Sequence, residues 1–431
     1  MAETDIEGRM FEPHAERAAV LGEVHARPFR PATAPRLFLH YAFVGHQPGQ
    51  PAGDADYFAD LCHAQGVAPP AAGARHHVIS FGPGILKWER HAEFITYTWD
   101  GPLSGAEAPF AEMPPNHPFG LSFIAPGRLL VAARAELHRD AGALARATAT
   151  FDSASLCVSE VLNGRALAMT DFRQDGDSRS RILVVDRGLS PSEAGALIQR
   201  LLEIETYRTF ALLGLPEAER AAPDVRRTEE ELAQIAERIR SSEGLEANRS
   251  LLADLSRLAA DVEAASARSS YRFGASVAYD EIVKGRLTAI DERAVPGYSL
   301  WSGFLDRRMA PAMRTIGTIV ARQRDLSDKL MRAAELLRTR VDIDVEQQNR
   351  DLLQSMNRRA RQQFQLQQTV EGLSVAAISY YVIGLVSHLT KGLFEYMHWH
   401  DDPEIATGLS VPVVVVVIYL VVRRIRSAHS G

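Results

Sequence analysis

"IATGLSVPVVVVVIYLVV", residues 405–422, contains no charged side chain from end to end. A helix needs about 20 predominantly apolar residues to cross the hydrocarbon core of a bilayer. Val and Ile favour strands in water, so a buried strand is the competing reading. Strands usually run about 3–10 residues, however, and the length favours a membrane helix. "VEGLSVAAISYYVIGLVSHL", residues 370–389, lies just upstream, with Glu371 at its edge, His388 near its far end and no charge between them. Two transmembrane helices in tandem, 370–389 and 405–422, are the expectation. Pro412 falls inside the second, where neighbouring groups can re-satisfy the freed carbonyl of a kinked helix.

The flanks orient this pair. Arg358, Arg359 and Arg361 precede the first span, and Arg423, Arg424 and Arg426 follow the second. The segment between, 390–404, carries Lys391, Glu395, Asp401, Asp402 and Glu404 and is net acidic. Basic flanks stay on the cytoplasmic side. Both termini are therefore expected in the cytoplasm, with 390–404 as an external loop and 423–431 as a cytoplasmic tail. Everything before Val370 is expected inside. Tyr396 and Trp399 suit the membrane interface. The expected location is the inner (cytoplasmic) membrane. The opening segment, "MAETDIEGRM", mixes charges without an apolar core, so no signal peptide is expected.

Composition agrees with this placement. A chain of 431 residues can build more than one core. A formal charge of −6 and a pI near 6.2 argue against a nucleic-acid binder. Two cysteines, Cys62 and Cys157, make neither a disulfide framework nor a zinc knuckle.

Residues 1–215 mix strand and helix signals. "RLFLHYAFVG" (36–45) reads as a strand, and "DADYFADLCHAQG" (54–66) as a short helix between Asp54 and Gly66. "HHVISFGPGILKWERHAEFITYTWDG" (76–101) holds two or three strands with a turn at Gly82-Pro83-Gly84. Segments 128–138, 155–173 and 180–188 add strands, with a hairpin signal at Asn163-Gly164. Ser190, Pro191 and Glu193 form a capping box at the start of a helix whose apolar stripe includes Leu197, Leu201 and Ile204. Gly214 and Pro216 should end that helix. The prediction is an α+β or α/β domain with a mixed sheet.

Beyond a linker at 214–227 the pattern turns helical through 226–368. Thr228 and Glu231 suggest another capping box. The stretch 293–311 interrupts with a turn and aromatic contacts. Leu326, Leu330, Leu337, Val341, Val345, Leu352 and Met356 then recur at about 3.75 residues, closer to an eleven-residue repeat than a heptad. A continuous helix from Ala312 to Gln368 would measure about 85 Å. It needs a partner for its apolar stripe, from the earlier helices or from other subunits. The fold class is thus an N-terminal mixed-sheet domain, a long-helix bundle and two C-terminal transmembrane helices.

Three segments carry a resemblance. "EVHARP" (23–28), "WERHAEFITYTW" (88–99) and "EGLSVAAISYYVIGL" (371–385) resemble the hallmark segments of a bacterial family of uncharacterised membrane-anchored proteins. That resemblance implies a cytoplasmic domain, a helical region and C-terminal membrane helices, without an assigned activity. The layout is also similar to that of the CorA-type divalent-cation transporters, in which a Gly-Met-Asn motif ends the first span. Here Gly392-Leu393-Phe394 stands at that place, followed by Glu395-Tyr396-Met397, and only the glycine matches.

Candidate ligand-binding residues come from two of these segments. On a strand, Glu23, His25 and Arg27 would share one face. A carboxylate could poise the imidazole and the guanidinium could grip an anion, or all three could be a structural ion-pair network. Glu89, His91 and Glu93 would likewise share a face and could join them. Ten of the fourteen histidines fall at or before His138, without metal-ligand spacing. His398, His400, Asp401 and Asp402 in the external loop are weak metal candidates. No catalytic motif and no cofactor are expected. Expected partners are the lipid bilayer and further copies of the chain, with no nucleic acid and an unidentified ligand. The leading function is a membrane-anchored scaffold or sensor assembled through long helices. The alternatives are a CorA-like oligomeric channel without the Gly-Met-Asn motif and an enzyme using the histidine-rich domain.

Overall fold

The computed structural model describes residues 14–17, 20–21, 28–45, 55–71, 73–103, 108–120, 123–139, 142–397 and 403–429. The chain forms two compact units, one of Met1–Arg238 with Ala253–Ala334 and one of Ile239–Leu252 with Glu335–Gly431.

The first unit is built on a mixed sheet. Its strands are β1 (Arg36–Val44), β2 (His76–Phe81), β3 (Gly84–Arg90), β4 (Phe94–Pro102), β5 (Arg128–His138), β6 (Cys157–Val161), β7 (Ala166–Thr170), β8 (Ser180–Asp186) and the short β9 (Arg293–Ala294). They lie in the order β2-β3-β4-β1-β5-β8-β7-β6-β9. Only β5 and β8 pair in parallel among the described strands; the other neighbours are antiparallel. The chain leaves β5 through helix α2 (Gly142–Thr148) and the β6–β7 hairpin before β8 returns beside it. That hairpin turns at Leu162, Asn163 and Gly164, all at positive φ, as the Asn-Gly signal requires.

Alternation along β1 divides the core into two faces. Phe38 and Ala42 point to one side, toward α3 (Pro191–Leu212). Leu37, Leu39, Tyr41 and Phe43 point to the other, where Trp88, Tyr97, Trp99 and Phe58 of helix α1 (Ala55–Ala64) enclose them. The Ser190–Glu193 capping box starts α3 as the sequence predicts.

The chain then departs from the expected linker. Only Leu213 separates α3 from α4 (Gly214–Ser241). Pro216 sits in the first turn of α4, where its missing N–H removes no helical bond. Thr228 lies inside α4, and its hydroxyl donates to the Asp224 carbonyl at 2.9 Å, so it caps nothing. Helix α5 (Leu245–Ala289) follows, and α6 runs unbroken from Trp301 to Tyr396, with Pro311 inside it. Helical residues 253–289 and 301–334 belong to the same compact unit as the sheet. The reason is packing: Val283 and Leu287 of α5 and Trp301, Phe304, Leu305 and Met309 of α6 join the core over the α3 face.

Glu292 anchors the start of α6. Its carboxylate accepts from the backbone N–H of Trp301 at 3.0 Å, the N–H of Ser302 at 2.9 Å and the Ser159 hydroxyl at 2.8 Å. A negative group there satisfies orphan donors and complements the helix dipole. Glu292→Ala should therefore destabilise the protein by about 1–2 kcal/mol. Denaturant unfolding of the two proteins in the same detergent would measure this, and equal midpoints would refute the capping role.

In the second unit, α6 continues through the first apolar stretch to Tyr396, and α7 (Pro403–His429) carries the second. The helical ends thus occupy much of the expected 390–404 loop. The two helices run antiparallel side by side: the Thr390 and Thr407 hydroxyls lie 3.2 Å apart, and Val422 adjoins Val370 and Ser374. Both helices are long and apolar enough to cross a membrane, and their most apolar 18-residue stretches are almost entirely unburied within the chain.

Candidate functional site

Three rows of side chains cross strands β3, β4 and β1 on the α3 face. Lys87 pairs with Thr98, which pairs with His40. One step along, Glu89 pairs with Thr96; one step the other way, Ile85 pairs with Asp100. Residues in register on neighbouring strands present side chains to the same face. Above them, α3 lays down Gly195, Ile198, Gln199, Leu202, Glu203 and Thr206 at helical spacing. Short side chains on the sheet and Gly195 on the helix leave a cavity of about 60 Å³ between them. Gly195 is required here for a second reason, since a Cβ would fall on the Arg30 carbonyl of the segment crossing the start of α3.

His40 forms the floor. Its Nε2 lies 2.9 Å from the Thr206 hydroxyl and its Nδ1 2.7 Å from the Thr98 hydroxyl. Thr206 donates its own proton to the Leu202 carbonyl at 2.8 Å. It must therefore accept from His40 Nε2–H, which leaves Nδ1 to accept from Thr98. Burial, with Lys87 adding charge repulsion, pushes the imidazole pKa down to about 3. His40 is thus a neutral structural group at physiological pH, and with both nitrogens engaged it is unsuited to proton transfer.

The charges around the cavity are paired. Lys87 Nζ lies 3.0 Å from Glu89 Oε2 and donates weakly to Gln199 Oε1 at 3.4 Å. Asp100 accepts from Arg36 at 2.8 Å, with Arg30 at 3.7 Å, and Glu203 pairs with Arg286. The remaining wall is apolar, with Phe38, Ile85, Ile198 and Leu202.

Glu89 and His91 line this cavity; Glu93 does not. Strand β3 ends at Arg90, which places His91 and Glu93 in the turn to β4 rather than on a common strand face. His91 stacks on Phe94 with ring centres 4.1 Å apart. Glu93 takes a two-pronged grip from Arg272 of α5, at 2.9 Å to each oxygen, and receives the Tyr279 hydroxyl. That is a clamp between the turn and the helix. Glu23, His25 and Arg27 lie outside the described residues, as do His398, His400, Asp401 and Asp402. Among the described residues no group of three His, Cys, Asp or Glu side chains could hold a metal ion.

His40, Lys87, Thr98, Gln199 and Thr206 escaped the sequence reading. The available signal was one polar residue at an inward position on each of three strands, but their adjacency depends on strand order and register. The opposite face of the sheet holds another polar group. Glu136 on β5 accepts from Arg134 at 2.8 Å and from the Phe110 N–H at 3.0 Å, with His138 Nε2 at 2.9 Å. Burial alone would raise this carboxyl, yet the His138 hydrogen bond, the Arg134 charge and the Phe110 amide together hold it below its usual range. This network is closed on itself and reads as structural. Burial pushes the Cys157 thiol up to about 12, far from a usable nucleophile.

A mixed-sheet domain with a small cavity under α3, long helices and two apolar helices defines the class of this protein. The chain belongs to the family described as "Protein of unknown function (DUF3422)", whose sequence profile matches residues 12–429. No curated protein and no solved structure matches it.

Proposed function

We propose that this is a bacterial inner-membrane protein, held by the apolar end of α6 and by α7 with both termini in the cytoplasm, whose sheet domain acts as a sensor or scaffold. The observation that carries the reading is the exposure of the apolar helices. Leu373, Tyr380, Leu389, Ile405 and Leu409 are all 70–77% exposed. A continuous apolar surface of this kind needs lipid or a partner to cover it. The arginine flanks support the orientation. The cavity under α3 supports sensing, because it is preformed and lined by a few convergent polar groups. Assembly through the long helices is supported by α6 between positions 346 and 369, which is exposed on all sides and carries Leu352, Met356 and Phe364.

The test is fractionation of cells expressing the full chain. The protein should sediment with membranes, resist alkaline carbonate and dissolve only in detergent. Recovery in the cytosolic supernatant would overturn the anchoring. For orientation, His400→Cys should react with an impermeant maleimide from outside the inner membrane, and Arg426→Cys should not; the native cysteines are buried. The reverse pattern would invert the topology. Divalent-cation flux through the purified protein in vesicles would favour the CorA-like channel over the sensor.

A further inference from the structure

We propose that the cavity between the sheet and α3 binds a small α-amino acid as its zwitterion, with the ammonium on Glu89 and the carboxylate on Lys87. This deepens the sensor reading and is independent of the membrane anchoring, which fractionation tests separately.

Charge balance gives the first argument. Each carboxylate at the cavity already has a cationic neighbour: Glu89 has Lys87, Asp100 has Arg36, and Glu203 has Arg286, while the remaining cation, Arg30, stands 3.7 Å from Asp100 with its side chain 38% exposed and so keeps water as its counterpart. A ligand bringing net charge would leave that charge without a counter-charge beside side chains that are already paired and only 12% and 9% exposed, which is costly. A net-neutral ligand avoids the penalty.

Unused hydrogen-bonding capacity gives the second. Lys87 has three N–H donors, of which Glu89 and Gln199 take two. Glu89 is 7% exposed, and Lys87 engages only one of its oxygens. Among the described residues, the other oxygen and the third Lys87 donor have no partner. A free donor therefore stands beside a free acceptor. The complement is a molecule with an anionic acceptor and an N–H donor a few bonds apart, as in an α-amino acid. A quaternary betaine has the same charges but no N–H for Glu89.

Size and lining supply the third. A buried water needs on the order of 10–15 Å³, so a cavity of about 60 Å³ holds only a few atoms' worth of ligand. The apolar wall of Phe38, Ile85, Ile198 and Leu202 accepts a hydrogen or a methyl as the side chain and excludes an indole.

The experiment is isothermal titration calorimetry on the full-length protein in detergent. The probes are glycine, L-alanine, L-tryptophan, acetate, methylamine and glycine betaine. Glycine and L-alanine should bind saturably, with every other probe at least tenfold weaker. Lys87→Met and Glu89→Gln should each weaken glycine at least tenfold, with circular dichroism confirming the fold, while the distant Lys284→Met leaves it unchanged. The probe series on the native chain decides the matter even where a variant misfolds. Absence of glycine binding would overturn the proposal. So would acetate, methylamine, betaine or tryptophan binding as tightly as glycine.

Discussion

Trp301→Ala should lower the unfolding free energy by about 3–5 kcal/mol, the range for truncating a large buried aromatic. Trp301 is the first residue of α6 and is fully buried. Its indole N–H donates to the Ala168 carbonyl of β7 at 3.2 Å, and its ring packs edge-on to Phe172 at 5.2 Å. Alanine would open a cavity and remove the indole's hydrogen bond to β7, two losses that act together. Trp301→Phe separates them. It keeps most of the volume but loses the hydrogen bond to the Ala168 carbonyl, so about 0.5–1.5 kcal/mol should be lost. Guanidinium unfolding followed by circular dichroism at constant detergent measures both. An alanine variant within about 1 kcal/mol of the parent, the size of an ordinary substitution, would show that the start of α6 is not part of the sheet core.

Acidification from pH 7 to pH 5 should weaken the fold by about 2 kcal/mol through His40. In the unfolded chain His40 titrates at its ordinary value of 6.5; in the fold it is held down to about 3. Below pH 6.5 the unfolded state therefore takes up a proton that the folded state refuses. Stability is intact above pH 6.5 and declines as pH falls toward about 3, at about 1.4 kcal/mol per pH unit once well below 6.5. His117, also held low by burial, acts in the same direction. Carboxyls held low, such as Glu136 and Glu229, add their own losses only in more acid solution, below their ordinary value of 4.5. The window from 6.5 to 4.5 belongs mainly to the histidines, and His40→Gln isolates the one in question. Its unfolding free energy should fall less between pH 7 and pH 5 than that of the parent. Equal slopes would mean that His40 is not kept neutral by the fold.

Parts of this architecture were legible because they depend on neighbours in sequence. The apolar run "RLFLHYAFV" reads as a strand, and the structure buries that strand on both faces. The Ser190–Glu193 box gives the start of α3 through contacts between near neighbours. Local signals failed where a longer helix absorbed them. Thr228 and Glu231 match a capping box, yet tertiary contacts keep α4 helical through that point. Among these contacts, Arg322 of α6 pairs with Glu229. Pro216 stands where a helix would stop, but the single intervening Leu213 turns it into a first-turn proline. At the site, Glu89 and His91 stood out as a local cluster of ionisable groups, whereas His40 looked like an isolated polar residue in an apolar strand.

From the sequence alone follow the two apolar helices, the strand and helix content of segment 1–215 and the acidic, cysteine-poor character of the chain. These depend on composition and on the short periodicities of helix and strand, which any stretch of chain carries with it. The tertiary structure decided that β1 lies between β4 and β5, that Lys87, Thr98 and His40 form one row, and that α3 closes over it. Those facts depend on strand order and on contacts between groups 58 to 166 positions apart, where register rather than local pattern determines which side chains meet.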